Sequence, residues 1–110
     1  MKKGYFIIIS ALLLTFFSSA QNVEFVKSNF KGREKEFKQA RNNFTVGLKY
    51  YEMGKSMYAT ALEYFLEAQK FNPDNAKLNY LIGTCYLNTV QKTKSIEYFE
   101  KSLLLNAVEY

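Results

Sequence analysis

The feature that most constrains this chain is a near-duplication in its second half. The strings ALEYFLEAQKFN, residues 61–72, and SIEYFEKSLLLN, residues 95–106, are variants of one unit. Aligning Gly47 on Gly83 gives a repeat of 36 residues, or 34 when two extra residues are allowed in the first loop. Repeats of this length are typical of proteins in which one supersecondary unit stacks on the next, because a single unit cannot bury its own apolar face.

Each copy of the unit is predicted to be a pair of helices. From Glu34 onward, apolar residues recur at spacings of three and four, the period of a helix with a buried face. Gly54 is expected to end the first helix and Asn72-Pro73-Asp74 the second, because the residue before a proline avoids helical backbone angles. Short connections make sequential helices antiparallel. The predicted fold class is therefore all-α, built of antiparallel helix-turn-helix repeats.

Two of the helix starts are predicted from capping side chains. Thr60, followed three residues later by Glu63, has the spacing of a capping box and is expected to open the second helix, with Ser56 as a rival cap. Asp74 is expected to cap the third helix by accepting hydrogen bonds from its free backbone amides.

The N-terminus has the three-part pattern of a secretory signal. Two lysines precede an apolar run over 5–17, and Ser18-Ser19-Ala20 supplies small residues for a cut before Gln21. We therefore expect an exported protein with no transmembrane segment after the cut. The alternative is a retained membrane anchor, although the run of 13 residues is short of the about 20 that a spanning helix needs. The predicted segments are a signal peptide over 1–20, a lead-in over 21–33, a first helical hairpin with an extended first helix over 34–73 and a second hairpin over 74–110.

The composition gives no sign of a catalytic or metal centre. The chain has no histidine, which removes the commonest general base and metal ligand. The densest carboxylates fall on predicted helix surfaces, without a base partner or metal-ligand spacing: Glu63, Glu67, Glu97 and Glu100. Cys85 is the one cysteine and lies in an apolar helical pattern, so we expect a buried thiol. No enzyme activity, cofactor or metal is expected.

The charge pattern argues against nucleic acid as a partner. Without Lys2 and Lys3, thirteen basic residues remain against ten acidic ones, a net charge of +3. The two signs alternate along the chain and form no basic block, which is typical of solvated helix surfaces.

The repeat resembles the tetratricopeptide repeat, a helix-turn-helix module of 34 residues. The resemblance rests on small and aromatic residues that occur in the same order in both copies: Gly47 and Gly83, Tyr50 and Tyr86, Ala61 and Ser95, Phe65 and Phe99, Ala68 and Ser102, with Pro73 closing the first copy. The copies depart from the family at Asn43, where tryptophan is frequent, and at Ala107, which replaces the closing proline. The resemblance implies an α-solenoid in which these small residues let paired helices approach and the aromatics form the core.

The same resemblance implies a binding groove, because in this family the first helices of successive repeats line a concave surface. Its positions here are Arg41, Phe44, Leu48, Tyr51 and Glu52 in the first copy, and Lys77, Tyr80, Thr84, Leu87 and Asn88 in the second. An apolar row flanked by Arg41 and Lys77 suits an apolar or mildly acidic protein or peptide segment. The alternative is that Phe44 and Leu48 are covered by the segment 21–37.

A secretory signal followed by two such repeats is also similar to the start of certain bacterial envelope proteins that continue into a β-propeller and an OmpA-like domain. This likeness implies a non-catalytic interaction module in the periplasm or associated with the outer membrane, as the first part of a larger OmpA-like or secretion-machinery component. The alternative is a purely structural or self-associating domain. The fourth helix has an apolar outer face at Ile96, Phe99 and Leu103, to be covered by further chain, by a second copy or by the helix before the first repeat.

Overall fold

The computed structural model describes residues 21–105, which form four α-helices joined by short connections. The helices are α1 (Glu34–Glu52), α2 (Tyr58–Phe71), α3 (Ala76–Leu87) and α4 (Ser95–Leu104), with short 3-10 helices at Lys27–Phe30, Lys55–Met57 and Lys92–Lys94. This part of the chain contains no strand, which confirms the predicted all-α fold class. The predicted signal peptide over 1–20 and the positions Asn106 and Ala107 lie outside the described residues.

The first two helices, α1 and α2, form an antiparallel hairpin. Tyr51, near the end of α1, stacks on Tyr58 at the start of α2, with ring centroids 4.7 Å apart. Farther from the connection, Phe44 of α1 meets the ring of Phe65 of α2 at 6.0 Å. Residues later in α1 therefore contact residues earlier in α2, as in an antiparallel pair.

Helices α3 and α4 form a second hairpin with the same arrangement. Near the middle of the pair, the rings of Tyr80 and Phe99 lie 5.8 Å apart. At the far end, the hydroxyl of Ser102 donates a hydrogen bond of 2.9 Å to the carbonyl oxygen of Ala76, the first residue of α3. The second hairpin is thus also antiparallel.

Each hairpin is closed by a glycine on its first helix that faces a phenylalanine on its second. A Cβ atom added at Gly47 would lie 2.6 Å from the ring of Phe65, and one added at Gly83 would lie 2.7 Å from the ring of Phe99. Neither approach leaves room for a side chain, since carbon atoms in ordinary contact are about 3.5–4.0 Å apart. The aligned residues of the two copies therefore make the same contact.

A stacked tyrosine pair recurs in the same way. Tyr50 stacks on Tyr64 in the first hairpin at 5.7 Å, and Tyr86 stacks on Tyr98 in the second at 5.5 Å. The four residues are aligned pairwise by the repeat, so the duplication in sequence corresponds to a duplication of contacts.

The two hairpins share one core because α2 packs against α3. Phe65, Leu78, Ile82 and Cys85 are enclosed completely, with 0% of each residue exposed. Burial of an apolar side chain of this size contributes about 1.5–3 kcal/mol, so this shared core is the main source of stability. Cys85 is buried as predicted, and its burial raises the pKa of the thiol to about 12.

The predicted end of the first helix agrees with the structure, but the predicted start of the second does not. Gly54 follows α1 with a φ of 109°, a left-handed conformation that favours glycine after a helix. Helix α2 begins at Tyr58, so Thr60 lies inside it and the predicted capping box is wrong. The N-cap residue Met57 makes no side-chain hydrogen bond, and the preceding 3-10 turn leads directly into the helix.

The third helix is capped one residue later than predicted. The side-chain oxygen of Asn75 accepts a hydrogen bond of 2.9 Å from the backbone amide of Leu78, which makes Asn75 the N-cap. Asp74, the predicted cap, is in the turn, where its carboxylate lies 3.6 Å from the ammonium group of Lys101 on α4.

Within residues 21–105, no helix combines the length and the apolar character that crossing a membrane would require.

Candidate partner-binding surface

The predicted groove positions of the first hairpin differ in their exposure. Arg41 and Glu52 are exposed, Leu48 and Tyr51 are half-buried, and Phe44 is only 9% exposed. Leu48 and Tyr51 pack against the shared core, which limits what they present to a partner.

Phe44 belongs to the core, which corrects its assignment to the groove. Its ring makes an edge contact with Phe25 of the lead-in at 5.0 Å, in addition to the contact with Phe65. The structure therefore agrees, for Phe44, with the alternative that the N-terminal segment covers this position.

Tyr51 is the groove position that adjoins the second hairpin. Burial, a hydrogen bond with Tyr58 and electrostatic interactions with Tyr58, Tyr80 and Cys85 raise the pKa of its hydroxyl from 10.0 to about 12. Tyr51 is therefore neutral across the physiological pH range, and it contributes an aromatic, uncharged surface between α1 and α3.

The second hairpin presents a mixed row along α3. Lys77 is exposed and Tyr80 is half-buried against Phe99. The hydroxyl of Thr84 donates to the carbonyl oxygen of Tyr80 at 3.0 Å, and the amide of Asn88 donates to the carbonyl oxygen of Thr84 at 2.8 Å. These two polar groups are engaged by their own helix.

Leu87 adds an apolar group to this row, with 49% of the residue exposed. It follows Thr84 by three residues on α3, so both lie on one side of the helix. Among the predicted groove positions of the second hairpin, Leu87 and Lys77 are exposed, so their substitution should disturb the core least.

The structure reveals a second contact surface at the turn between the hairpins, which the sequence reasoning treated only as a turn. The side-chain amides of Asn72 and Asn75 each donate a hydrogen bond of 2.9 Å to the carbonyl oxygen of Val23. The amide of Val23 donates to the carbonyl oxygen of Asp74 at 2.8 Å. The signal in the sequence was the pair of asparagines three residues apart.

The lead-in also inserts aromatic rings between the helices. Phe30 lies 4.7 Å from the ring of Phe71 at the end of α2 and stacks on Phe37 of α1 at 5.6 Å. The guanidinium group of Arg33 lies 4.4 Å from the centre of the Phe71 ring, a cation–π contact. The lead-in is thereby fixed to both helices of the first hairpin.

The predicted self-association face on α4 is only partly exposed. Ile96 is 58% exposed and Leu103 is 66% exposed, whereas the ring of Phe99 lies against Gly83 inside the hairpin. Leu104, which is 68% exposed, joins Ile96 and Leu103 on the outer side. The exposed apolar face of α4 therefore comprises Ile96, Leu103 and Leu104, and Phe99 does not belong to it.

The charged side chains around the shallow depression between α1 and α2 are paired. Arg33 contacts Glu36 at 2.9 Å, and Lys70 contacts Glu67 at 2.8 Å. No group of acidic or cysteine side chains suited to holding a metal ion occurs in the described part of the chain.

Comparison with known proteins relates this helical arrangement to one family. The family model described as regulator of microtubule dynamics protein 1-3 matches residues 43–110, which include the C-terminal half of α1 and all of α2, α3 and α4. No curated protein and no solved structure gives a significant match. Since the family model matches more than half of the chain, this protein belongs to the family of regulator of microtubule dynamics proteins 1-3.

Proposed function

We propose that this chain is a non-catalytic protein–protein interaction module built of two tetratricopeptide-like repeats. The observation that carries the proposal is the repeated contact of a first-helix glycine with a second-helix phenylalanine, Gly47 with Phe65 and Gly83 with Phe99. These are the positions of the small and aromatic residues on which the resemblance to the tetratricopeptide repeat rests. The family description names regulators, and a binding module is a suitable form for a regulator.

The proposed binding surface runs along α1 and α3 without Phe44. Its apolar part is formed by Leu48, Tyr51 and Leu87, and exposed cations stand beside it at Arg41 and Lys77. The two exposed cations favour a partner segment with acidic groups near them, whereas the exposed Glu52 disfavours such groups at its end of α1. The apolar side chains between the cations favour an amphipathic or extended segment. The partner class we propose is therefore an apolar protein or peptide segment with acidic flanks.

Substitution of exposed groove residues tests this surface without disturbing the core. Partners captured from an extract of the source cells are identified by mass spectrometry and titrated against purified chain. Lys77→Glu with Leu87→Glu should weaken binding of an authentic groove partner by about 2 kcal/mol or more, as loss of an anchor does. Val90→Glu is the control for an added carboxylate outside the groove, because Val90 is fully exposed in the turn after α3. Equal binding by the double variant and the control would refute the groove assignment.

We also propose that the protein is exported to the cell envelope, as part of a larger component. The support is the basic, apolar and small-residue pattern over residues 1–20. Mass spectrometry of the protein purified from cells should find Gln21 as the N-terminal residue. An intact N-terminal Met1 in a protein recovered from the cytoplasm would contradict export.

The alternative function is self-association through α4, and a comparison of the two copies favours it. Leu62, the equivalent of Ile96, is 9% exposed because α3 lies beside α2, whereas Ile96 is 58% exposed and no described helix lies beside it. An apolar face of this kind is a candidate interface. The face that α3 uses to cover α2 includes Leu78, Leu81 and Cys85.

The equivalent positions on α1 indicate which kind of self-association is possible. They are polar: Asn42, Thr45 and Lys49. A head-to-tail row of copies would press these polar residues against the apolar face of α4, so a closed dimer with two α4 faces in contact is the arrangement that buries apolar surface. Sedimentation of the parent chain should then give a dimer, and Ile96→Glu with Leu103→Glu should give a monomer of unchanged helix content. A monomeric parent chain would exclude this alternative.

A further inference from the structure

We propose that the turn between the two hairpins is a recognition site for a peptide segment of the type Asn-X-X-Phe, and that the chain fills this site with its own residues 22–30. This inference goes beyond the proposed groove function, because it rests on residues of the turn instead of the exposed positions along α1 and α3. It assigns a ligand chemistry to a surface formed by Asn72, Asn75 and Phe44.

The polar half of the site is held in place by hydrogen bonds that do not involve the segment. The side-chain oxygen of Asn75 is held by the amide of Leu78 at 2.9 Å, and that of Asn72 accepts from the amide of Asp74 at 3.3 Å. An asparagine whose oxygen is fixed has its two N–H donors fixed as well, because the amide group is planar. Both side chains therefore direct a donor at one point, and the carbonyl oxygen of Val23 occupies it.

The two asparagines are almost completely covered when the segment is in place. Asn72 and Asn75 are each 2% exposed, so their donors need a partner whenever the segment covers them. By contrast, Asn22 and Glu24 on the segment are exposed, and Val23 and Phe25 are half-buried. The receiving surface belongs to the folded body, while the segment lies on it.

The contacts combine sequence-independent hydrogen bonds to the main chain of the segment with two contacts to specific side chains. Both main-chain groups of Val23 are bound by the turn, which any residue at that position could satisfy. Specificity comes from Asn22, whose side-chain oxygen accepts from the amide of Ala76 at 2.8 Å, and from Phe25, whose ring meets Phe44. The first of these places an acceptor at the N-terminus of α3, where the helix has unpaired amides.

The tether explains why a free peptide of this sequence is not expected to bind the unaltered chain well. The segment is joined to α1 by only residues 31–33, and such a short connection gives an effective concentration of about 1 mM or more. A competing segment of equal intrinsic affinity must reach that concentration to displace it. Weakening the tethered copy should therefore expose the site to a copy added in solution.

The test uses the full-length chain and a labelled peptide with the sequence of residues 21–30, QNVEFVKSNF. Fluorescence anisotropy is measured against the parent chain and against the variant Asn22→Ala with Phe25→Ala. The variant should bind the peptide about tenfold or more tightly than the parent, as release of an intramolecular competitor predicts. A scrambled peptide should bind neither protein, and Asn72→Ala added to the variant should remove about tenfold of the affinity, the loss expected for one hydrogen-bonding partner.

Three outcomes with the variants would overturn the inference, and hydrogen exchange on the unaltered chain adds a fourth. Equal weak binding by the parent and the variant would mean that the turn does not recognise the segment. Binding that is unaffected by Asn72→Ala but lost on Leu87→Glu would place the peptide in the groove. That second result would support the proposed function and not this inference. Loss of helical circular dichroism in the variant would mean that the segment is a permanent part of the core.

Hydrogen exchange on the unaltered chain gives an independent readout, since the amide of Val23 should exchange faster than that of Phe65 by local opening of the segment. Equal protection of the two amides would contradict a displaceable segment.

Discussion

Gly47→Ala tests whether the repeated glycine–phenylalanine contact determines stability. The added methyl group would lie 2.6 Å from two ring atoms of Phe65, about 1 Å closer than ordinary carbon contact. Phe65 has no exposed surface, and its ring is flanked by Phe44 at 6.0 Å and by Tyr51 at 6.2 Å. Because the ring is enclosed, it cannot turn aside into solvent, and the strain must be shared with the packing of α1 against α2.

The size of the effect follows from two opposing contributions. Replacing glycine by alanine in a helix interior stabilises it by about 1 kcal/mol. Overpacking a filled core costs about 1–3 kcal/mol, and a contact as short as this one belongs at the upper end. We therefore expect Gly47→Ala to lower the free energy of unfolding by about 2 kcal/mol. For a domain of this size that corresponds to a Tm lower by about 8–16 °C.

The second copy supplies a matched comparison. Gly83→Ala brings its methyl group 2.7 Å from the ring of Phe99, but Phe99 is only half-buried and can move outward. The loss at Gly83 should therefore be smaller, about 1 kcal/mol or less. Asn42→Ala on the exposed side of α1 is the control for helix propensity alone and should be neutral or slightly stabilising.

Urea and thermal unfolding followed by far-ultraviolet circular dichroism measure all of these changes. Phe65→Leu should restore part of the loss in Gly47→Ala, because it removes the ring atoms that the methyl group meets, so the double variant should be less than additive. A Gly47→Ala variant as stable as the parent chain, or a greater loss of stability in Gly83→Ala than in Gly47→Ala, would show that the glycine–phenylalanine contact does not determine stability.

Four further predictions follow from burial and capping. Leu62→Ala should cost about 2–4 kcal/mol in urea unfolding and its repeat equivalent Ile96→Ala less than about 1 kcal/mol, because Leu62 is 9% and Ile96 is 58% exposed; equal losses would contradict the assignment of the outer face. The Cys85 thiol, whose pKa burial raises to about 12, should react with a thiol reagent at pH 8 only after denaturant is added. Since the pKa of Tyr51 rises from 10.0 to about 12 on folding, the unfolded chain loses this proton first, so stability should be unaffected by Tyr51 below pH 10 and fall between pH 10 and 12. Burial also raises the pKa of Tyr98, so ultraviolet titration should find late-ionising tyrosines, with one fewer of them in Tyr51→Phe. Asn75→Ala should cost about 1–2 kcal/mol by removing the cap of α3, and a neutral effect would contradict that role.

The contacts within each hairpin were predictable because they depend on local spacing. A small residue and an aromatic that recur in both copies leave few ways to pair two short-linked helices. Gly47 against Phe65 and Gly83 against Phe99 follow from that constraint. The end of α1 shortly before Gly54 was predictable for the same reason, since glycine is the residue type that suits the positive φ at this position.

The helix starts were less predictable because several polar residues compete at each of them. Asp74 and Asn75 are both good caps, and the choice depends on where the turn places the first helical amides. Asn75 is the cap in the structure, and its side chain also reaches the lead-in at Val23, a contact between residues about fifty positions apart. No local pattern encodes such a contact.

The candidate site was predicted only in part, and the two copies differ there for a physical reason. Phe44 and Tyr80 occupy equivalent positions, yet Phe44 is 9% exposed beneath Phe25, whereas Tyr80 is half-buried against Phe99. An all-carbon ring gains by being covered, while a tyrosine keeps a hydroxyl that needs a polar neighbour or water. The first copy therefore uses its groove position to hold the lead-in, whereas the second has a half-buried tyrosine there. A repeat predicts the position of each side chain. What that side chain contacts depends on its chemical group and on which distant segment reaches it.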